Sequence, residues 1–170
     1  MNMLSTTLFH NKNEKKYVMR GLLKVVQLFR RLYWRLMRPE TRGIRAILVA
    51  YDGKILLVRH KYQEGWFLPG GKISGRENDE DAIRRELREE LGIEIISHPE
   101  KLGEYLNTYE YKKDTIVVFV IHDFTQRSKK HFEIEEQRLF DPRNLPSGVS
   151  PGTKKRIEEW LGERLKTGQW

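Results

Sequence analysis

The sequence predicts an α/β domain in which a mixed sheet carries packed helices, and three observations lead there. Short β-branched, apolar runs recur along the chain, among them IRAILVAY at 44–51, KILLVRH at 54–60 and TIVVFVIHDF at 115–124. Between the second and third of these, Ile83, Leu87 and Leu91 recur every four residues, a helical spacing. A further helical pattern near residue 160 follows the last run, so strands stand before, between and after helices in one chain, the signature of a mixed sheet with helices on it.

In chain order, residues 1–16 are polar and without periodicity and are expected as a tail. Residues 17–38, YVMRGLLKVVQLFRRLYWRLMR, place polar side chains at 20, 24, 27, 30, 31, 35 and 38, steps that trace one stripe of a basic amphipathic helix, and Arg38-Pro39 ends it. Its six basic residues break any apolar run long before the roughly 20 residues that a membrane-spanning helix needs. That helix has two readings: a cover or homodimer interface, or a contact with an anionic membrane surface through Tyr33 and Trp34. No specific nucleic-acid partner is expected. Residues 39–170 form the main domain. Its strands 44–51 and 54–60 are expected as a hairpin turned at Asp52-Gly53. WFLPGG closes the next short segment, and a helix runs over 79–91, with Asp79, Glu80 and Asp81 at its positive end and Gly92 at its stop. Strands follow at EIIS, LGEYLNTYEY and 115–124, and SPGTKKRIEEWLGERL reads as a last helix with Ser150 as cap and Pro151 in its first turn.

The charge of the 170-residue chain is +8, and its distribution is uneven. Residues 1–38 hold nine Lys/Arg against one acid, Glu14, and the remainder holds 23 of each sign, so the basic character belongs to the N-terminal segment. The chain has no cysteine. Disulfides, thiolate metal sites and cysteine nucleophiles are thereby excluded, and a cytoplasmic setting, with a peripheral membrane contact as a variant, is expected.

The densest chemistry lies in GKISGRENDEDAIRRELREELGI, residues 71–93. On the helix at 79–91, Glu86, Glu89 and Glu90 stand at i, i+3 and i+4 and project from one face beside the apolar stripe. Like charges so placed repel by a few tenths of a kcal/mol per pair even in solvent. They are either a solvated surface or a site for a hard divalent cation with oxygen ligands. Gly71, Glu77, Arg85-Glu86-Leu87, Glu89-Glu90 and Gly92-Ile93 occupy all nine positions of the Nudix box, and the stretch resembles that family's signature in full. Seven fixed identities coincide by chance at a given start in roughly one case in a billion. The preceding Leu68-Pro69-Gly70 fits as well.

The resemblance implies a Nudix-like α/β/α sandwich and an activity that cuts the P–O–P bridge of a nucleoside diphosphate linked to another moiety, with Mg²⁺ as cofactor and Mn²⁺ as its substitute. Nucleoside triphosphates, dinucleoside polyphosphates and nucleotide sugars are the substrate types it brings into view. By position, it makes Glu86, Glu89 and Glu90 metal ligands together with the Gly70 carbonyl. Arg85 would orient that cluster and Glu77 would support its loop. The proton of an attacking water would go to Glu89, or to one of Glu133, Glu135 and Glu136 in HFEIEEQ, a stretch otherwise read as a surface loop. Arg59 stands as a phosphate contact or as an exposed strand-end arginine. Trp66, Tyr62 and Phe67 could stack on a base, although a Trp before a Pro-Gly-Gly turn more often packs in the core. The residue sixteen past Ile93 is Tyr109, with no proline near, which leans away from an ADP-ribose substrate and toward a polyphosphate, or marks only a tyrosine-rich strand. The alternative function is a catalytically silent nucleotide-binding or regulatory module of the same fold, against which the complete box argues. The isomerase branch of the family works through a cysteine, which this chain lacks.

Overall fold

The computed structural model describes residues 40–109, 112–127 and 133–170. The tail expected at 1–16 and the basic helix at 17–38 lie outside the described residues. Among the described residues no helix is long and apolar enough to cross a membrane.

The first strand, β1 (Glu40–Leu48), runs parallel to β6 (Lys112–Ile121), from Glu40 opposite Lys113 to Leu48 opposite Ile121. With β5 (Glu100–Tyr109) on the far side of β6, these make a three-stranded sheet in the order β1-β6-β5. A second sheet is ordered β3-β2-β8, where β2 (Ile55–His60) pairs antiparallel with both β3 (Gln63–Phe67) and β8 (Ile134–Phe140). A short antiparallel pair joins β4 (Ile93–Ile95) to β7 (Phe124–Gln126). Parallel and antiparallel pairing are therefore mixed, and two helices complete the fold: α1 (Asp79–Leu91) and α2 (Pro151–Trp160).

Alternation along the strands sorts the core into two layers. Ile44, Ala46 and Leu48 of β1, Leu56 and Val58 of β2, and Val117, Phe119 and Ile121 of β6 pack with Ala82, Ile83, Leu87 and Leu91 of α1. The residues of opposite parity, Ile47, Ile55, Leu57, Ile116, Val118 and Val120, pack with Trp66, Leu68, Tyr105 and Ile157 of α2. Helix, strands, helix is the α/β/α arrangement that the sequence implied. Both faces of the later halves of β1 and β6 are buried, from Ile44 to Leu48 apart from Arg45 and from Ile116 to Ile121, as is usual for a parallel pair, and these halves read as nearly continuous apolar runs.

Four expectations need correction. The turn after β1 forms, with Gly53 N–H donating to Ala50 O at 2.8 Å and Gly53 at φ 80°, but pairing along it stops at Val49 and Ile55. The strands either side then part into different sheets, because β1 takes β6 as its partner. The single strand expected at 115–124 is broken at His122-Asp123, and its last residue opens β7. The acidic stretch expected as a surface loop contains β8, the long partner of β2. The last helix stops at Trp160, short of the 165 expected, and Gly162 follows at φ 74°.

Helix α1 is bounded as its ends require. The Asn78 side chain caps the first turn by accepting from Asp81 N–H at 2.8 Å, and Gly92, left-handed at φ 66°, closes the last. At α2 a different feature, absent from the sequence reading, holds the helix down. Arg156, fully buried, bonds Glu159 at 2.8 Å and the Gln169 carbonyl at 2.8 Å, and lies 3.7 Å over the Tyr105 ring.

Candidate active site

The site is built where the segment after β3 returns along β1. Ala46 N–H donates to Pro69 O at 2.9 Å, Ile44 N–H to Gly71 O at 3.0 Å, and Ile73 N–H to Arg42 O at 3.0 Å, so residues 69–73 add a short antiparallel edge to β1. The approach is close enough to demand glycine. Gly70 has φ 132°, and a Cβ there would lie 2.4 Å from Ile44 O. A Cβ on Gly71 would lie 2.2 Å from an oxygen of Glu86. The Gly-Gly pair thus lets the edge touch β1 on one side and the carboxylates of α1 on the other.

The three glutamates of the helix face are not equivalent in this fold. Glu86 accepts from Lys72 N–H at 3.3 Å and Glu90 from Gly70 N–H at 3.3 Å, which turns both toward the Gly-Gly edge. Glu86 is 14% exposed, whereas Glu89 is 61% exposed and points away from the core. Burial, followed by the neighbouring charge of Glu86, pushes the Glu90 carboxyl up to about 7, against the pull of Gly70 N–H and the Arg45 charge. Among the described residues, no three His, Asp or Glu side chains already converge around a single point.

Arg85 ties the cluster together. Its guanidinium bonds Glu77 twice, at 2.9 and 2.8 Å, Glu86 at 2.8 Å, Glu89 at 3.2 Å and the Lys72 carbonyl at 3.0 Å. The paired bond to Arg85 holds the Glu77 carboxyl below its ordinary value, and Glu77 in turn accepts from Ser74 N–H at 3.4 Å. Glu77, Glu86 and Glu89 thus meet at Arg85, and Glu86 and Glu90 meet at the Gly70–Lys72 edge.

The more distant candidates separate. Arg59, at the end of β2, faces Glu135 at 3.3 Å and Glu136 at 2.7 Å and lies 5.3 Å over the Trp66 ring. Trp66 itself is 7% exposed and belongs to the core, as the commoner reading of its position held. Of the three later acids, Glu133 adds its charge to those acting on Glu90, its carbonyl accepts from Lys61 N–H at 3.0 Å, and its carboxylate accepts from the Tyr62 hydroxyl at 3.4 Å. The His60 ring stacks on Tyr62 with centroids 5.2 Å apart, and its titration is pushed down by burial and by Arg45. Arg45 borders the site with little to mark it in the sequence, since it sits inside an apolar run of β1.

The NUDIX domain family profile matches residues 39–161. An ADP-ribose pyrophosphatase from Methanocaldococcus jannaschii is 32% identical over 126 residues, 71% of this chain and 72% of that protein. The CTP pyrophosphohydrolase of Escherichia coli is 39% identical over 69 residues, which is 38% of this chain and 47% of that enzyme. Among solved structures, a MutT NUDIX hydrolase from Burkholderia pseudomallei superposes with a TM-score of 0.63 at 28% identity, covering 71% of this chain and 97% of that one. A family profile spanning most of the chain, over a fold with the same layers and a glutamate-bearing helix set against a Gly-Gly edge, makes this chain a member of the Nudix hydrolase family.

Proposed function

We propose that the chain hydrolyses the P–O–P bridge of a nucleoside diphosphate linked to another moiety, in a reaction dependent on Mg²⁺ or Mn²⁺. The observation that carries this reading is the placement of Glu86 and Glu90, two carboxylates turned onto the same Gly70–Lys72 backbone, one of them held near 7 by burial. An oxygen-only donor set that includes a partly buried carboxylate without an ion-paired partner among the described residues suits a hard divalent cation. Glu86, Glu89 and Glu90, with the Gly70 carbonyl, would hold it. When bound, such a cation neutralises diphosphate charge and makes water a stronger acid.

The chain's own groups supply the rest. Arg85, anchored by Glu77, holds Glu86 and Glu89 in orientation by ion pairs that would loosen as a cation takes their charge. Glu133 is the candidate base. It meets a phenol, where Glu135 and Glu136 meet the Arg59 guanidinium and Glu89 meets Arg85, so its carboxylate is the better placed to take a proton from an attacking water. Arg59, engaged by two carboxylates, would have to exchange them for phosphate to contact substrate.

The test is phosphate-coupled turnover with Mg²⁺ or Mn²⁺ on nucleoside triphosphates, nucleotide sugars, ADP-ribose and dinucleoside polyphosphates, beside Glu90→Gln. Turnover on one class, abolished in the variant, is the expected result and identifies the leaving group. Failure of the unaltered protein to bind either metal ends the reading.

A further inference from the structure

Arg45 is the charged residue that the box does not explain. It stands in the middle of β1 between Ile44 and Ala46, both fully buried, in the half of the strand that is otherwise apolar. Its Nη1 donates to two carbonyls at once, Ile44 O at 2.7 Å and Gly71 O at 3.1 Å. Gly71 O is the oxygen that also accepts the Ile44 N–H at 3.0 Å, so one carbonyl of the Gly-Gly edge is gripped by both backbone and side chain of β1. The contact is close from the other direction too: a Cβ on Gly70 would lie 3.0 Å from the Arg45 Cα. The charges of Glu90, Asp114 and Glu86 all act on the guanidinium, with Glu90 the strongest of them, and burial opposes its charge. Asp114 is itself fixed by the Thr41 hydroxyl at 2.7 Å.

Two consequences follow from elementary electrostatics. Glu86 and Glu90 repel each other across a partly desolvated space, and a fixed cation beside them offsets that repulsion before any metal arrives. The two N–H bonds of a planar Nη1 group point in fixed directions, so a guanidinium that bonds a carbonyl on each segment resists their sliding apart better than a lysine, a point charge on a flexible stem. The Gly70 and Gly71 peptides are those that carry the amide bonded to Glu90 and the carbonyl bonded to Arg45.

We infer that Arg45 is a positioning residue for the carboxylate site: its guanidinium staples the Gly70–Gly71 edge to β1 and so holds in place the backbone against which Glu86 and Glu90 are set. This rests on the metal-dependent reading of the site, yet the staple itself is observable without metal.

The experiment compares the full chain with Arg45→Met and Arg45→Lys, using two readouts. Amide exchange is followed at Ile44, Ala46 and Ile73, whose N–H groups bond the edge segment or its partner strand, with Leu106 and Ser150 on the α2 side as internal references. Free Mn²⁺ is followed by its electron-spin signal to obtain a dissociation constant. For Arg45→Met, exchange at the three amides should accelerate about tenfold or more, with the reference amides unchanged, and the Mn²⁺ dissociation constant should rise by a similar factor, as expected for losing a charged hydrogen bond. Arg45→Lys should recover only part of both, and it serves alone if the methionine variant does not fold. Unchanged exchange in Arg45→Met, tighter Mn²⁺ binding by it, or full recovery by lysine each overturns the inference, the last because charge alone would then suffice. If the unaltered chain binds no Mn²⁺, the proposed function fails, and the exchange comparison still decides for or against the staple.

Discussion

Replacing Glu90 by Gln should stabilise the metal-free protein at pH 8 and leave it unchanged near pH 4.5. The carboxyl stands at about 7 in the fold against 4.5 for an unperturbed glutamate, first because it is buried and then because Glu86 lies beside it. A group with a raised value in the fold binds more protons folded than unfolded between those two limits. The stability it contributes is therefore complete below about pH 4.5 and lost as pH rises through about 7. At 1.36 kcal/mol per pH unit the loss is roughly 3 kcal/mol, an upper figure because the side chain keeps some contact with water. Glutamine carries no charge to desolvate and can still accept the Gly70 N–H through its oxygen. Urea melts of both proteins in a chelating buffer at pH 4.5, 6 and 8 measure the difference, and a thermal melt at pH 8 should show a gain of about 5–10 °C. Added Mg²⁺ should reverse the order, since only the glutamate protein gains binding energy. Equal stability at pH 8 would refute the burial argument. A gap that persists unchanged at pH 4.5 would assign it to packing in place of charge.

Gly71→Ala should leave the far-ultraviolet spectrum intact while lowering turnover about 100-fold, the scale of a misplacement near 1 Å, because its Cβ would meet the Glu86 carboxylate at 2.2 Å and that side chain can swing aside. Glu133→Gln should lower kcat by about 10²–10⁴ with Mn²⁺ affinity unchanged, and an undiminished kcat would transfer the role of base elsewhere. Arg156→Met alone should lose about 3–5 kcal/mol in a urea melt, because it strands Glu159, 5% exposed, without its cation. Arg156→Met with Glu159→Leu should recover most of that loss, and equal losses in the single and double variants would show that the pair was not the cause.

The candidate site was legible in the sequence to different depths. Glu86, Glu89 and Glu90 could be put on one face because helix geometry depends only on spacing, and Asp79–Leu91 proved to be the helix with those limits. Arg85 reaching Glu89 one turn on is equally local. Spacing could not show that Glu89 turns outward while Glu86 and Glu90 turn in, since that depends on where the Gly-Gly edge approaches. Nor could it show which partners Glu133, Glu135 and Glu136 would meet. That was decided by the pairing of β8 with β2, which sets Glu136 opposite Arg59 and leaves Glu133 just before the strand, beside Tyr62. The strand was missed because IEEQRLF carries charges where a strand signal needs alternation, and β2 supplies the order that its own propensity does not.

Some features of this protein were thus fixed by chain-local physics: the helix that bears the carboxylates, its glycine stop, the apolar strands with two buried faces, and the absence of any thiol chemistry. Each follows from residue type and period, which act over a few residues and need no partner. Others required the assembled chain. The parting of β1 from β2, the raised Glu90, the grip of Arg45 on Gly71 and the seating of Arg156 over Tyr105 all join residues far apart in sequence. Burial and charge proximity depend on distance in space, and only the packing of α1 and α2 on the strands sets those distances.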